Sequence, residues 1–91
     1  MKVFKYVEPL NDVVTFRLPE GAKMLRVDVQ DERTSTVCLW ALVDPRASAH
    51  EDRHIRIAGT GHEITLPANL VYINTFTMHD RVLWFHAFEL I

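Results

Sequence analysis

The sequence predicts an all-β fold, a small single-domain antiparallel sandwich or barrel of about seven strands with at most one short helix. Three observations carry that expectation. Apolar and polar residues alternate with period two along most of the chain, as in strands with one buried face. Turn-forming residues interrupt the alternation at short intervals. A chain of 91 residues also buries one modest core rather than two, so residues 1–91 read as a single β domain.

The opening "KVFKYVE" places Phe4 and Tyr6 on one face of a first strand. "DVVTFRL", from Asp12, sets Val14, Phe16 and Leu18 against Thr15 and Arg17. "LPEGA" is a turn, in which Pro19 restricts φ and Gly21 can take a positive one. "KMLRVDVQ" alternates most cleanly, with Leu25, Val27 and Val29 inward and Arg26, Asp28 and Gln30 outward. After the polar reversal "DERTS", "TVCLWALV" is apolar on both faces and is expected at the centre of a sheet, covered on both sides. "DPRASAHEDR" is the one substantial break. Asp44 there could cap a short helix with Pro45 at its first position, or the stretch could be an excursion loop. "HIRIA" resumes as a strand with Ile55 and Ile57 opposite Arg56, and "GTGHEITLPAN" is a loop. "LVYINTFTM" sets Val71, Ile73 and Thr75 against Tyr72, Asn74 and Phe76, and "HDR" turns into the apolar "VLWFHAFEL". Ending in "FHAFELI", that last strand would invite pairing or self-association if it lay at a bare edge.

Composition narrows the function classes. With 48% apolar and 24% charged residues the chain has the balance of a soluble globular protein. A net charge of -2, with the ten Lys and Arg residues dispersed, leaves no basic block to follow a phosphate backbone, so neither DNA nor RNA is an expected partner. Cys38, the single cysteine, lies in an apolar run and reads as a buried thiol in a reducing compartment. The N-terminal residues contain no apolar signal region and no run is long enough to span a bilayer. A cytoplasmic protein without membrane contact is the expectation.

Two motifs suggest chemistry. His50, Glu51 and His54 match H-E-x-x-H, which on a helix brings two imidazoles to one zinc with a glutamate base between them. The setting argues against it, because strand periodicity begins at His54 and Asp52 and Arg53 are both charged. The other histidines, His62, His79 and His86, are scattered, and His86 alternates with Trp84 and Phe88 as a hydrogen-bonded residue at the core edge would. No metal and no cofactor is expected. "GTGH", Gly59 to His62, is the stronger candidate, since alternate glycines can turn successive N–H groups inward to hold an anion. Arg56 and the Thr60 hydroxyl would add charge and a donor, although a G-x-G step is also a common tight turn. Among the strand aromatics Trp40, Tyr72, Trp84 and Phe85, most are expected in the core, with one or two free to stack a ring.

The segments "KYVEPLND", "LPEGAKMLRVDVQ", "VCLWALVDP", "IRIAGTGHEI", "YINTFTMHD" and "LWFHAFEL" together resemble a family of small phage and prophage proteins carried as a domain of unknown function. The resemblance covers nearly the whole chain, with W-A-L-V-D-P and G-T-G-H as its most specific motifs. This chain departs from it at Glu63, where proline is usual, and at Asn74, where glycine is usual. The resemblance implies phage origin, an all-β fold and no established enzymatic activity. The expected role is therefore non-enzymatic binding, as a sponge for the cyclic nucleotide signals of bacterial anti-phage systems, within the cytoplasm of the host. Its site would join Arg56, Gly59, Thr60, Gly61 and His62 for the phosphates to Trp40 and Tyr72 for the bases. The expected partners are a cyclic dinucleotide or related small nucleotide and further copies of the chain. The alternatives are a protein–protein interaction module inhibiting a host factor, a metal-dependent hydrolase using "HEDRH", and a virion or assembly accessory.

Overall fold

Alternation of apolar side chains is realised as seven strands in a computed structural model that describes residues 1–65 and 69–91. The strands are β1 (Lys2–Pro9), β2 (Val13–Pro19), β3 (Lys23–Asp31), β4 (Thr36–Val43), β5 (His50–Gly59), β6 (Leu70–Met78) and β7 (Leu83–Leu90). Two antiparallel sheets result, one ordered β1-β4-β3 and the other β2-β5-β7-β6. Their facing sides make a single core. Val14, Phe16 and Leu18 of β2 meet Val37, Leu39, Ala41 and Val43 of β4, with Ile55, Ile57, Phe76 and Ala87 closing the layer. Burying a large side chain such as Phe16, Leu18 or Leu39 contributes about 1.5–3 kcal/mol each, which is why the period-two pattern fixes the sheet faces.

Four sequence expectations are corrected by the backbone. In β3 the pairing with β4 slips between Met24 and Arg26, and the bulge turns Leu25 outward, 42% exposed, while Met24 packs against the core. In β6 a slip between Tyr72 and Asn74 breaks simple alternation, so Tyr72 and Thr75 share the outer face and Asn74 turns in with Phe76. β4 is central, as expected, but only its inner face is covered by the other sheet, and Trp40 stands 39% exposed on the outer one. β5 begins at His50 rather than His54, and no helix forms among the described residues. Of the two alternatives left open for residues 44–49, the loop is the one adopted: Asp44 closes a turn, accepting from Arg46 N at 3.0 Å through its carboxylate and from Ala47 N at 3.0 Å through its carbonyl. The bare edge on which self-association of the last strand was made conditional does not arise, because β7 lies between β5 and β6. The loop read for residues 59–69 falls partly on residues 66–68, outside the described ones.

One seam between the sheets is closed without a strand ladder. The Asn74 amide donates to Val27 O at 2.8 Å and accepts from Val27 N at 2.8 Å, doing for β3 what a neighbouring backbone would do. Further along, Glu32 Oε1 accepts from His79 N at 2.8 Å. Both contacts join residues 47 apart, so β3 and β6 run alongside each other in the same direction.

The end of the sandwich near the β2–β3 turn is closed by charge. Arg53, 19% exposed in its side chain, donates through Nη2 to Glu89 Oε1 at 3.0 Å and through Nε to Oε2 of the same carboxylate. Its Nη1 reaches Ala22 O at 2.8 Å and Glu51 Oε1 at 3.1 Å. The paired carboxylates, Glu89 first, hold the guanidinium above its ordinary pKa despite burial.

Cys38 is buried as expected, and burial followed by the charge of Asp28 raises its thiol above the ordinary value. Iodoacetamide at neutral pH should therefore label the folded protein at least on the order of tenfold more slowly than the urea-unfolded chain. The sign for stability follows from the same shift. As pH rises past the ordinary thiol range the unfolded chain gives up its proton first, so stability falls there. Urea midpoints across that range should fall less for Cys38→Ala than for the parent protein.

Candidate ligand-binding site

The opposite end of the sandwich is open, and three connections converge on it: residues 10–12, the Gly59–His62 turn, and the turn entering β7. His62 N donates to Gly59 O at 3.0 Å, and Gly61 at the third position has φ +85°, the geometry of a type II turn. Thr60 N continues the sheet by donating to Trp84 O at 3.1 Å. Two of the donors expected to converge on an anion are thus already bonded within the protein. The concave nest expected of this loop does not form. Gly59 serves a different need, because a Cβ there would lie 3.0 Å from the His62 ring, which folds back over it.

Arg56 is also placed differently from the phosphate ligand expected. Only 11% of its side chain is exposed, and the guanidinium donates to Asp12 O at 3.3 Å, to Glu63 O at 3.4 Å and to Ile57 O. The Asp12 carboxylate lies 3.8 Å away. These bonds clamp the β1–β2 connection to the segment that leaves the Gly59–His62 turn. The residue positions the site rather than facing into it.

The two aromatic platforms expected from sequence are not brought together. Trp40 sits on the outer face of the three-stranded sheet, with Lys5 Nζ 5.4 Å from its ring centroid. Tyr72 sits on the outer face of the four-stranded sheet, 57% exposed and edge-on to Phe88 at 5.7 Å. One protomer cannot close both around a single base. Tyr72 does connect to the Gly59–His62 turn. Its hydroxyl meets Thr75 Oγ1 at 2.8 Å, Thr75 meets His86 Nδ1 at 3.0 Å, and His86 Nε2 meets Thr60 Oγ1 at 2.8 Å. Both ring nitrogens of His86 are therefore in use, which accounts for a polar residue alternating with aromatics.

Astride the Gly59–His62 turn lie two clefts. One, about 720 Å³, runs between the turn and Leu10–Val13, with Ile57 and Phe85 behind. The other, about 540 Å³, runs between the turn and Val82–Phe85. They share Gly59, His62 and Phe85. Asn11, Asp12 and the His62 imidazole supply the polar groups of the first cleft, and Trp84, 49% exposed, walls the second.

Trp84 and Phe85 were visible in sequence only as strand aromatics, Asp12 only as the start of a strand, and Asn11 drew no reading of its own. The turn behind Trp84 gave no glycine signal, yet His79, Asp80 and Arg81 all have positive φ, at 55°, 52° and 68°. Left-handed geometry costs about 1–2 kcal/mol for each such residue. It is held by Val82 N to His79 O at 3.0 Å, by Glu32, and by the Trp84 indole N–H to Arg81 O at 2.9 Å. The strained turn thus fixes the indole at the cleft.

The zinc-protease motif has no zinc geometry. His50 through His54 lie in extended β5, where residues four apart are separated by roughly 13 Å and Glu51 points to the other face. His54 Nδ1 is 2.8 Å from Thr15 Oγ1. Among the described residues no three His, Cys, Asp or Glu side chains come together to hold a metal ion. No helix among them is long and apolar enough to cross a membrane.

Fold and clefts define a two-sheet β-sandwich with a ligand-sized opening at one end. The chain belongs to the DUF7352 family, described as a domain of unknown function, whose family model matches residues 1–91. Searches of curated proteins and of solved structures found no match.

Proposed function

We propose that this chain is a non-catalytic binding protein that seats a nucleotide-like small molecule in the paired clefts astride Gly59–His62. The observation that supports it is the meeting of both clefts at His62 and Phe85 beside the half-exposed indole of Trp84. Small-molecule sites are usually clefts of this size with apolar walls and a few placed polar groups. Trp84 offers a face for a planar base, and His62 and Asn11 offer hydrogen bonds. Among the described residues, no lysine or arginine lines either cleft and Arg81 forms no ion pair. Arg81, whose carbonyl holds the Trp84 indole, is the cation this reading assigns to the ligand's phosphates.

In this reading the ligand is a cyclic di- or trinucleotide and the protein is phage-encoded. It acts in the host cytoplasm, withdrawing a signal that a bacterial defence system needs. The resemblance to small phage and prophage proteins supports that setting. Sequestration requires affinity and abundance rather than a reaction. A thermal-shift panel of cyclic di- and trinucleotides tests it. A bound ligand at a hundredfold excess over its Kd adds about 2.7 kcal/mol, on the order of 10 °C in Tm. Trp84→Ala and Arg81→Ala should each shrink the shift, and Trp40→Ala should leave it. No shift with any member of the panel at saturation refutes the ligand class.

A second reading has its own observation. Val82, Leu83 and Trp84 are 74%, 42% and 49% exposed in consecutive positions, an apolar ridge suited to a protein partner. A host protein captured by the parent chain and lost with Val82→Lys would favour it over the nucleotide.

A further inference from the structure

β1 forms one edge of the three-stranded sheet. Among the described residues its only bonded strand is β4, so its other edge presents eight residues of backbone without a strand partner there. Apolar side chains on it are left uncovered on both faces. Val3 and Val7 on the outer side are 53% and 44% exposed. Phe4, on the inner side opposite the fully buried Ala41, is still 41% exposed, because the other sheet does not extend over it. The remaining edges differ. β3 and β6 are tied together by Asn74, and β2 has its inward residues Val14, Phe16 and Leu18 buried.

The order of residues on β1 names the occupant. Residues 2 to 8 read K-V-F-K-Y-V-E, nearly the same in both directions about Lys5. When two copies are laid antiparallel about a two-fold axis at Lys5, Lys2 faces Glu8, Val3 faces Val7 and Phe4 faces Tyr6. By symmetry each pair occurs twice. Opposite charges, β-branched pairs and aromatic pairs are the cross-strand combinations that stabilise an antiparallel ladder. The one like-charged match, Lys5 with its copy, is relieved within each protomer. Lys5 Nζ is drawn toward β3 by Gln30 Oε1 at 3.1 Å and lies 5.4 Å from the Trp40 ring, away from the axis.

We infer that the chain forms a two-fold dimer through antiparallel β1–β1 pairing centred on Lys5, joining the two three-stranded sheets into one of six strands. An isologous interface requires one patch complementary to itself, which this strand provides. Sedimentation equilibrium of the 91-residue chain tests it, with far-UV circular dichroism confirming that each variant folds. The parent protein should dimerise, and Glu8→Lys and Lys2→Glu should each weaken the dimer on the order of tenfold, since each places like charges opposite one another twice. The double variant Lys2→Glu/Glu8→Lys should regain the parent affinity. Lys5→Cys, self-opposed on the axis, should give a disulfide-linked dimer on oxidation. A protein monomeric up to about millimolar concentration, or a dimer indifferent to all three charge variants, overturns the inference.

Discussion

Arg53→Ala should destabilise the protein by about 3–5 kcal/mol, the cost of leaving a buried carboxylate without its partner. Glu89 is only 13% exposed in its side chain, and both of its oxygens receive hydrogen bonds from Arg53. The same truncation takes a donor from Ala22 O, so the β2–β3 turn loses an anchor together with the ion pair. Domains of this size are stable by about 5–15 kcal/mol, so the variant should sit at the margin of folding at 37 °C. Urea denaturation at neutral pH reads the effect as a lowered midpoint. Arg53→Met combined with Glu89→Leu should recover most of the loss, because apolar replacement removes the stranded charge. A single variant that unfolds within about 1 kcal/mol of the parent would show that water reaches Glu89 freely.

Asn74→Leu is the second large effect, expected at about 3 kcal/mol. The side chain is close in size, so the loss comes from Val27, a fully buried residue whose N–H and C=O would both go unpaired. Asn74→Asp should fall between the parent and Leu, since it keeps an acceptor for Val27 N–H but sets a carboxylate oxygen against Val27 O. Asn74→Gly should cost less than Leu, because the space vacated admits water to both groups. Chemical denaturation of the three gives the ranking, and a Gly variant weaker than Leu would reject the water argument.

These two residues also show where sequence reading reached its limit. Period-two patterning predicted seven strands, and it assigned Val14, Phe16, Leu18, Ile55 and Ile57 to the core, because burial energy acts on every second residue. It failed at Leu25 and Tyr72, where a bulge adds one residue and reverses the faces beyond it. His50 to Arg53 were read as part of a break, short helix or loop, because strand alternation is not visible before His54, yet polar residues suit a strand whose end is closed by ion pairs. In the site, the Gly59–His62 segment was legible because glycine marks special backbone geometry. The partners of that segment were not. Arg56 looked available because a sequence cannot show that Asp12 and Glu63 carbonyls will occupy its guanidinium. Trp84 became prominent only through the left-handed turn beside it, and that turn contains no glycine, only His79 and Asp80, whose preference for such a conformation is weak.

The side-by-side, same-direction run of β3 and β6 bears on how the chain reaches this state. Hairpins such as β3–β4 and β6–β7 close over short spans, whereas the Val27–Asn74 and Glu32–His79 contacts each close 47 residues of chain. Loop closure of that length must be met before those contacts return any enthalpy, so the seam belongs on the native side of the rate-limiting barrier. Replacements at Asn74 would then accelerate unfolding while leaving refolding nearly unchanged. The amide that completes the sandwich would act as its latch against opening, governing the lifetime of the folded state more than the speed of reaching it.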